Sequence, residues 1–257
     1  MALYVDLNSD LGESFGAYKI GNDAGIIPLV SSANLACGMH AGDPIALAAA
    51  IRLCLTNGVS IGCHPGYPDL QGFGRRELAL SPDEADMYTR YQLGALMGMA
   101  KSLGGVVSHV KPHGAMYNRA AKDYKFARAI CDGIYKTDPN LIFYGLAASE
   151  MIRAGRDAGL VVASEVFADR AYEDDGSLVA RTKHGAMIHD EDEMVSRVLR
   201  MVKDNEVVSV SGRVIPIEAD TVCVHGDGER ALAFVMRLRQ AFAENEIIIG
   251  KFYYESK

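Results

Sequence analysis

The chain of 257 residues has no run of basic residues, and its formal net charge is −7. A nucleic-acid backbone is bound through clustered Lys and Arg, so nucleic acid is not an expected partner. No uninterrupted apolar stretch approaches the roughly 18 residues that a membrane-spanning helix needs, so no membrane span is expected. The opening MALYVDLNSDLGES lacks a basic segment followed by an apolar core, which argues against a secretory leader. Cysteines number five, an odd count, and none stand as C-x-x-C. A reduced, cytoplasmic protein is the expectation. There is no G-x-x-x-x-G-K-[ST], so a bound nucleotide is held without a P-loop. DLNSDLG begins like a calcium loop, but Leu11 stands where that loop needs Gly and Ala17 where it needs Glu. GDGERA (Gly226–Ala231) fits a dinucleotide fingerprint but has no room after it for the βαβ unit that fold requires. A phosphate at the start of the following helix stays compatible with it.

What the chain does contain is a repeated alternation. Short apolar segments read as strands at Leu3–Asn8, Ser31–Cys37, Val59–Cys63, Val106–Lys111, Leu141–Gly145, Leu160–Phe167 and Asp220–His225. Helical patterns lie between most of them. The helix after Asp43 has that residue as N-cap, Pro44 in its first turn and Gly58 past its end. The next opens with Ser81 and Glu84 spaced as a capping box. Further helices read at Lys122–Lys136, Ser149–Ala158, Glu191–Asp204 and Glu229–Ala243. Strand alternating with helix implies parallel strands joined by right-handed crossovers. Seven such units without a linker predict one domain over residues 1–257, an α/β fold of the closed (β/α) barrel type. An open doubly wound sheet is the alternative. Val207–Ala219 breaks the alternation and reads as a β-hairpin insert.

Polar residues gather at the strand ends, where barrels of this type build their sites. Asp6, Asn8 and Asp10 end the first strand; His109, Lys111 and His113 follow the fourth. The sixth gives Glu165 and Asp169, and the seventh Cys223, His225 and Asp227. Spacing of i, i+2, i+4 puts side chains on one face of an extended chain, and in a barrel that face can be the interior. His64 joins from the third strand. NLACGMHAGDP brings His40 and Asp43. Each residue alone has a plainer reading: Asp43 and Asp227 suffice as helix caps, and a lone strand histidine as a hydrogen-bonded core residue. Together they exceed what caps explain, because buried charges are costly unless they pair or act. Arg75 and Arg76, on the Gly-rich loop GYPDLQGFGRREL beside His64, are candidates to clamp an anion.

The stretches DLNSDLGESFG, NLACGMHAGDP, HPGYPDLQGFGRRE, VKPHGAMYN, EVFADRAY and CVHGDG occur in that order over nearly the whole chain. They resemble the motif series of the LamB/YcsF family. The resemblance implies a seven-stranded (β/α) barrel, TIM-barrel-like and related to the glycoside hydrolase and polysaccharide deacetylase barrels. It also implies an ATP-dependent hydrolase that opens the lactam of 5-oxoproline (pyroglutamate) to L-glutamate. ATP with Mg is then the co-substrate, ADP and phosphate are the other products, and two further subunits, B and C, are the partners.

Such chemistry needs cations for phosphate, a base for water and donors for a developing oxyanion. Lys111, Arg75, Arg76 and Arg170 are the candidate cations; Asp10, His113 and Asp169 are the candidate proton carriers. The expected catalytic set is Asp10, His64, Lys111, His113 and Asp169. Expected contacts to substrate or nucleotide are Asp6, Asn8, His40, Asp43, Arg75, Arg76, Glu165, Arg170, His225 and Asp227. A rival reading is a metal-dependent deacetylase or amidohydrolase acting on a small amide or carbohydrate, since Asp10, His40, His64 and His113 are of the right type for a divalent metal. A non-catalytic component of a complex or a small-molecule sensor is the rival outside enzymes, and it would need fewer titratable groups than gather here.

Overall fold

The computed structural model describes residues 3–224 and 231–252. Strand β1 (Leu3–Leu11) is followed by the short helix α1 (Asp23–Ile26), β2 (Ser32–Ala36), α2 (Pro44–Asn57), β3 (Ser60–His64) and α3 (Pro82–Ser102). Then come β4 (Val107–Val110), α4 (Gly114–Ala120), α5 (Tyr124–Thr137), β5 (Ile142–Leu146), α6 (Glu150–Ala158) and β6 (Val161–Phe167). Helix α7 (Glu191–Asp204), the antiparallel pair β7 (Glu206–Val208) and β8 (Val214–Pro216), β9 (Thr221–Cys223), α8 (Ala231–Glu244) and β10 (Ile247–Ile249) complete the order.

Strands β1 to β6 and β9 are parallel and close on themselves. Closure depends on the length of β1. Its Asn8–Leu11 segment pairs with β2, while Asp6–Asn8 pairs with β9, and β9 pairs in turn with β6. The start of β1, Leu3–Val5, is left for β10. The result is a seven-stranded barrel, and the open sheet is ruled out by the β1–β9 ladder. The helix boundary signals act as expected. Asp43 accepts hydrogen bonds from the Ile45 and Ala46 amides, Gly58 takes a left-handed φ of 66°, and Ser81 with Glu84 forms a complete capping box.

Strand alternation sorts the residues into two layers. Leu7, Leu35, Val110, Phe143, Val166 and Val222 are fully buried in one apolar core with residues of the helices. Their neighbours Asp6, Asn8, Asn34, His109, Tyr144, Glu165 and Thr221 contact one another inside the barrel and are buried too. Barrel interiors of this architecture are ordinarily packed with branched aliphatic side chains. A polar interior is stable only where nearly every group is hydrogen-bonded.

Candidate active site

The deepest polar layer is a closed network. Asp6 accepts from Ser31 Oγ at 2.6 Å, Ser32 Oγ at 2.7 Å and Thr221 Oγ1 at 2.6 Å. Burial raises its pKa, and these three hydroxyls pull it back. Above it, Asn8 Nδ2 donates to Thr221 Oγ1 (2.7 Å) and Glu165 Oε1 (3.0 Å), and Asn8 Oδ1 accepts from Asn34 Nδ2 (2.7 Å). His109 Nε2 donates to Asn34 Oδ1 at 2.8 Å, and its ring stacks on Tyr144. Burial, then the cation of Lys111, drops the His109 pKa to about 3, so this ring is a neutral donor. Gly62 on β3 makes the space: a Cβ there would meet His109 Nε2 at 2.0 Å.

Lys111 crowns this network. Its Nζ lies 2.7 Å from Glu165 Oε1, 2.9 Å from Asp10 Oδ1 and 3.1 Å from Cys223 Sγ, and the side chain is only 2 % exposed. Burial alone would discharge it; the carboxylates of Asp10 and Glu165 reverse that and hold its pKa well above the ordinary value. Glu165 also accepts from Tyr117 Oη at 2.7 Å. Asp10 Oδ1 accepts a second hydrogen bond from Asn34 Nδ2 (2.8 Å), while its Oδ2 faces His64 Nε2 at 3.3 Å. Two carboxylates share one ammonium, and Asp10, with 12 % of its side chain exposed, is the member that reaches the mouth.

Beside Asp10 stand three buried histidines. His64 Nδ1 lies 2.7 Å from the carbonyl of Lys111, and His113 Nε2 lies 2.8 Å from the carbonyl of Phe73. A carbonyl only accepts, so each of these outer nitrogens is the donor. The inner nitrogens, His64 Nε2 and His113 Nδ1, hydrogen-bond to each other at 2.9 Å. His40 stacks on His113 with ring centres 3.8 Å apart, and neither of its nitrogens has a hydrogen-bond partner among the described residues. Burial, followed by the neighbouring imidazoles, holds His40 and His113 well below the usual histidine range. Ligand atoms of Glu13, His40, His64 and His113 all lie within 4.8 Å of one another. Two rings locked by carbonyls and a third stacked on one of them, with their inner nitrogens converging beside a carboxylate, fit a divalent cation. The Gly-rich loop after β3 presses on these rings: at Gly74, where φ is +61°, a Cβ would lie 2.7 Å from His40 Cβ.

This cluster opens into a cavity of about 770 Å³ whose wall includes Asp10, His64, Lys111, His113, Arg75 and Arg170. Six of the expected site residues thus meet at one place. Others sit elsewhere. Asp6 is fully engaged on the barrel floor, and Asn8 and Glu165 brace Lys111 from below. Asp43 uses one oxygen on the start of α2 and the other on the Gly16 amide (2.7 Å), so capping accounts for it. Arg76 is 64 % exposed and paired with Asp69, away from the cavity wall. Asp169 is close enough to Arg170 to favour its charge. His225 and Asp227 lie outside the described residues.

Two residues of the site escaped the strand pattern. Glu13, 6 % exposed, follows Gly12, whose φ of 70° ends the alternation of β1. Tyr117 lies one turn beyond His113 on α4, a helix too short to read from periodicity. Both lie within the motifs DLNSDLGESFG and VKPHGAMYN.

The profile of the LamB/YcsF family matches residues 5–256. The chain is 55 % identical to the A subunit of 5-oxoprolinase from Clostridium beijerinckii, covering 95 % of this chain and 96 % of that protein. It is 53 % identical to the corresponding A subunit of 5-oxoprolinase from Geobacillus thermodenitrificans, over 98 % of each. Its fold superimposes on the crystal structure of the lactam utilization protein from Thermus thermophilus with a TM-score of 0.92 at 43 % identity, covering 97 % of this chain and 100 % of that one.

Proposed function

The chain belongs to the LamB/YcsF family, and from that premise we propose that it is the A subunit of a 5-oxoprolinase, opening the lactam of 5-oxoproline to L-glutamate at the expense of ATP. The observation that carries this reading is identity of 55 % and 53 % across nearly the full length of two proteins of that name. The site suits the chemistry. A five-membered lactam resists water because its amide is resonance-stabilised. Transfer of the γ-phosphoryl group of ATP, with Mg, to the lactam oxygen makes the carbon electrophilic and releases ADP. Water then adds to that carbon and Asp10 takes its proton. The carbon–nitrogen bond breaks as the nitrogen takes up the proton that Asp10 removed from water, with His64 beside Asp10 at 3.3 Å. A second water releases phosphate from the resulting acyl phosphate. Lys111 stabilises the negative charge that builds up on oxygen.

No P-loop is present, so the nucleotide is held by another surface, and the B and C partners complete it. Purified alone, the chain is expected to show little 5-oxoproline-dependent ATP hydrolysis, and adding both partners should bring it on. Robust turnover by the isolated chain, unchanged by partners, would remove the dependence; none in the full assembly would remove the substrate. The same reading places the protein in the cytoplasm.

The converging imidazoles favour a second reading, metal-dependent hydrolysis of a small amide or carbohydrate N-acyl group. Glu13, His40, His64 and His113 would hold a divalent cation, which when bound supplies Lewis-acid polarisation. The full-length chain is expected to take up about one equivalent of Zn²⁺ or Mn²⁺ by calorimetry, and the double variant His64→Ala/His113→Ala to take up none. Chelator-sensitive amide hydrolysis that proceeds without ATP would replace the first reading by the second.

A further inference from the structure

Arg170 lies three residues past the end of β6 and is 4 % exposed, yet it belongs to the cavity wall. Its Nη2 donates to the Val179 carbonyl at 2.7 Å, and its Nε is buried with no hydrogen-bond partner. No carboxylate among the described residues forms an ion pair with its guanidinium. Burial, then the nearby cation of Arg181, lowers its pKa to about 10, and the charge of Asp169 offsets only part of this. A guanidinium at that value is still a cation at neutral pH.

Buried charges are ordinarily paired, and a buried donor left unmade costs the fold. Lys111, buried in the barrel interior, obeys this rule with two carboxylates. Arg170 departs from it at the wall of the cavity that holds Asp10 and Lys111. A guanidinium on a cavity wall, with its Nη2 held by the Val179 carbonyl, is suited to an oxyanion.

We propose that Arg170 anchors an oxyanion subsite in this cavity, and that the group it takes is the carboxylate of the lactam substrate. This rests on the 5-oxoprolinase reading for the identity of the substrate, but not for the existence of the subsite. With the carboxylate held at Arg170, the lactam ring lies in the cavity that Lys111 and Asp10 also line. Selectivity for a lactam bearing a carboxylate then comes from this chain and not from its partners.

The test compares wild type with Arg170→Met and Arg170→Lys in the assembled enzyme, using 5-oxoproline and 2-pyrrolidinone, the same ring without a carboxylate. The preference in kcat/KM for 5-oxoproline is expected to shrink about 100-fold in Arg170→Met, mainly through KM, with lysine recovering only part of it. An equal loss on both lactams, together with a raised KM for ATP, would overturn the carboxylate assignment in favour of a phosphoryl group. An unchanged preference and unchanged ATP dependence would overturn the subsite altogether.

Calorimetry on the full chain, with 5-oxoproline and with inorganic phosphate as probes, reads the subsite even if no lactam is turned over. Binding of 5-oxoproline that Arg170→Met abolishes supports the proposal; binding of neither probe to wild type sinks it. Thermal unfolding separates a structural role. Removing a buried cation that has no ion pair among the described residues should leave Tm unchanged or higher, whereas a fall of several degrees would assign Arg170 to the fold.

Discussion

Replacing Lys111 by methionine is expected to destabilise the barrel by about 3–5 kcal/mol and to abolish activity. Lys111 is the cation between Asp10 and Glu165, at 2.9 and 2.7 Å. Methionine fills similar volume but leaves two carboxylates facing each other in a closed interior. Breaking a buried pair from one side leaves uncompensated charge, and that is the larger part of the cost. Tm should fall by about 10 °C, at the roughly 2–4 °C per kcal/mol usual for domains of this size. Glu165→Gln added to Lys111→Met should recover part of the loss, since it removes one orphaned charge and keeps an acceptor for Tyr117. Urea unfolding of the three proteins is the measurement. A single variant as stable as wild type would mean that Asp10 and Glu165 do not need the ammonium, and the account of the interior would fall.

Asp10→Asn is expected to do the reverse, with little effect on stability and a loss of about 10³-fold in lactam opening. The amide oxygen can keep both hydrogen bonds that Oδ1 now accepts, from Lys111 and Asn34. The new amide nitrogen would face His64 Nε2, which lies 3.3 Å from the present Oδ2. The fold therefore loses charge but keeps both hydrogen bonds to Oδ1, and stability should change by under about 1 kcal/mol. The reaction loses a base, a loss of the order that general-base catalysis contributes. Turnover in the assembled enzyme and thermal unfolding of the chain are measured together. Near-wild-type turnover in a folded variant would show that the proton goes elsewhere.

Much of this site was legible as a pattern before any fold was known. Asp6, Asn8 and Asp10, and His109, Lys111 and His113, are spaced to share a face, and each of them does turn inward or onto the mouth. The pattern did not rank them. Asp6 and Asp10 are the same residue type on the same face, yet one is sealed on the floor by three hydroxyls and the other borders the cavity. Arg75 and Arg76 are adjacent in sequence, and only the first lines the cavity.

The sequence by itself determined the alternation of strand and helix, the helix ends at Asp43, Gly58 and Ser81, and the inward-facing polar sets. These follow from local geometry: a period of two along a strand, and the needs of the first and last turns of a helix. Only the tertiary structure decided that the sheet closes, that Lys111 meets Asp10 across 101 residues of chain, and that Glu13 and Tyr117 join the site. It also decided which histidine nitrogens meet backbone carbonyls. Those outcomes depend on register between strands far apart in the chain, and on which carbonyl a ring nitrogen meets. A difference of one residue in register would turn every side chain to the other face, and no local spacing carries that information.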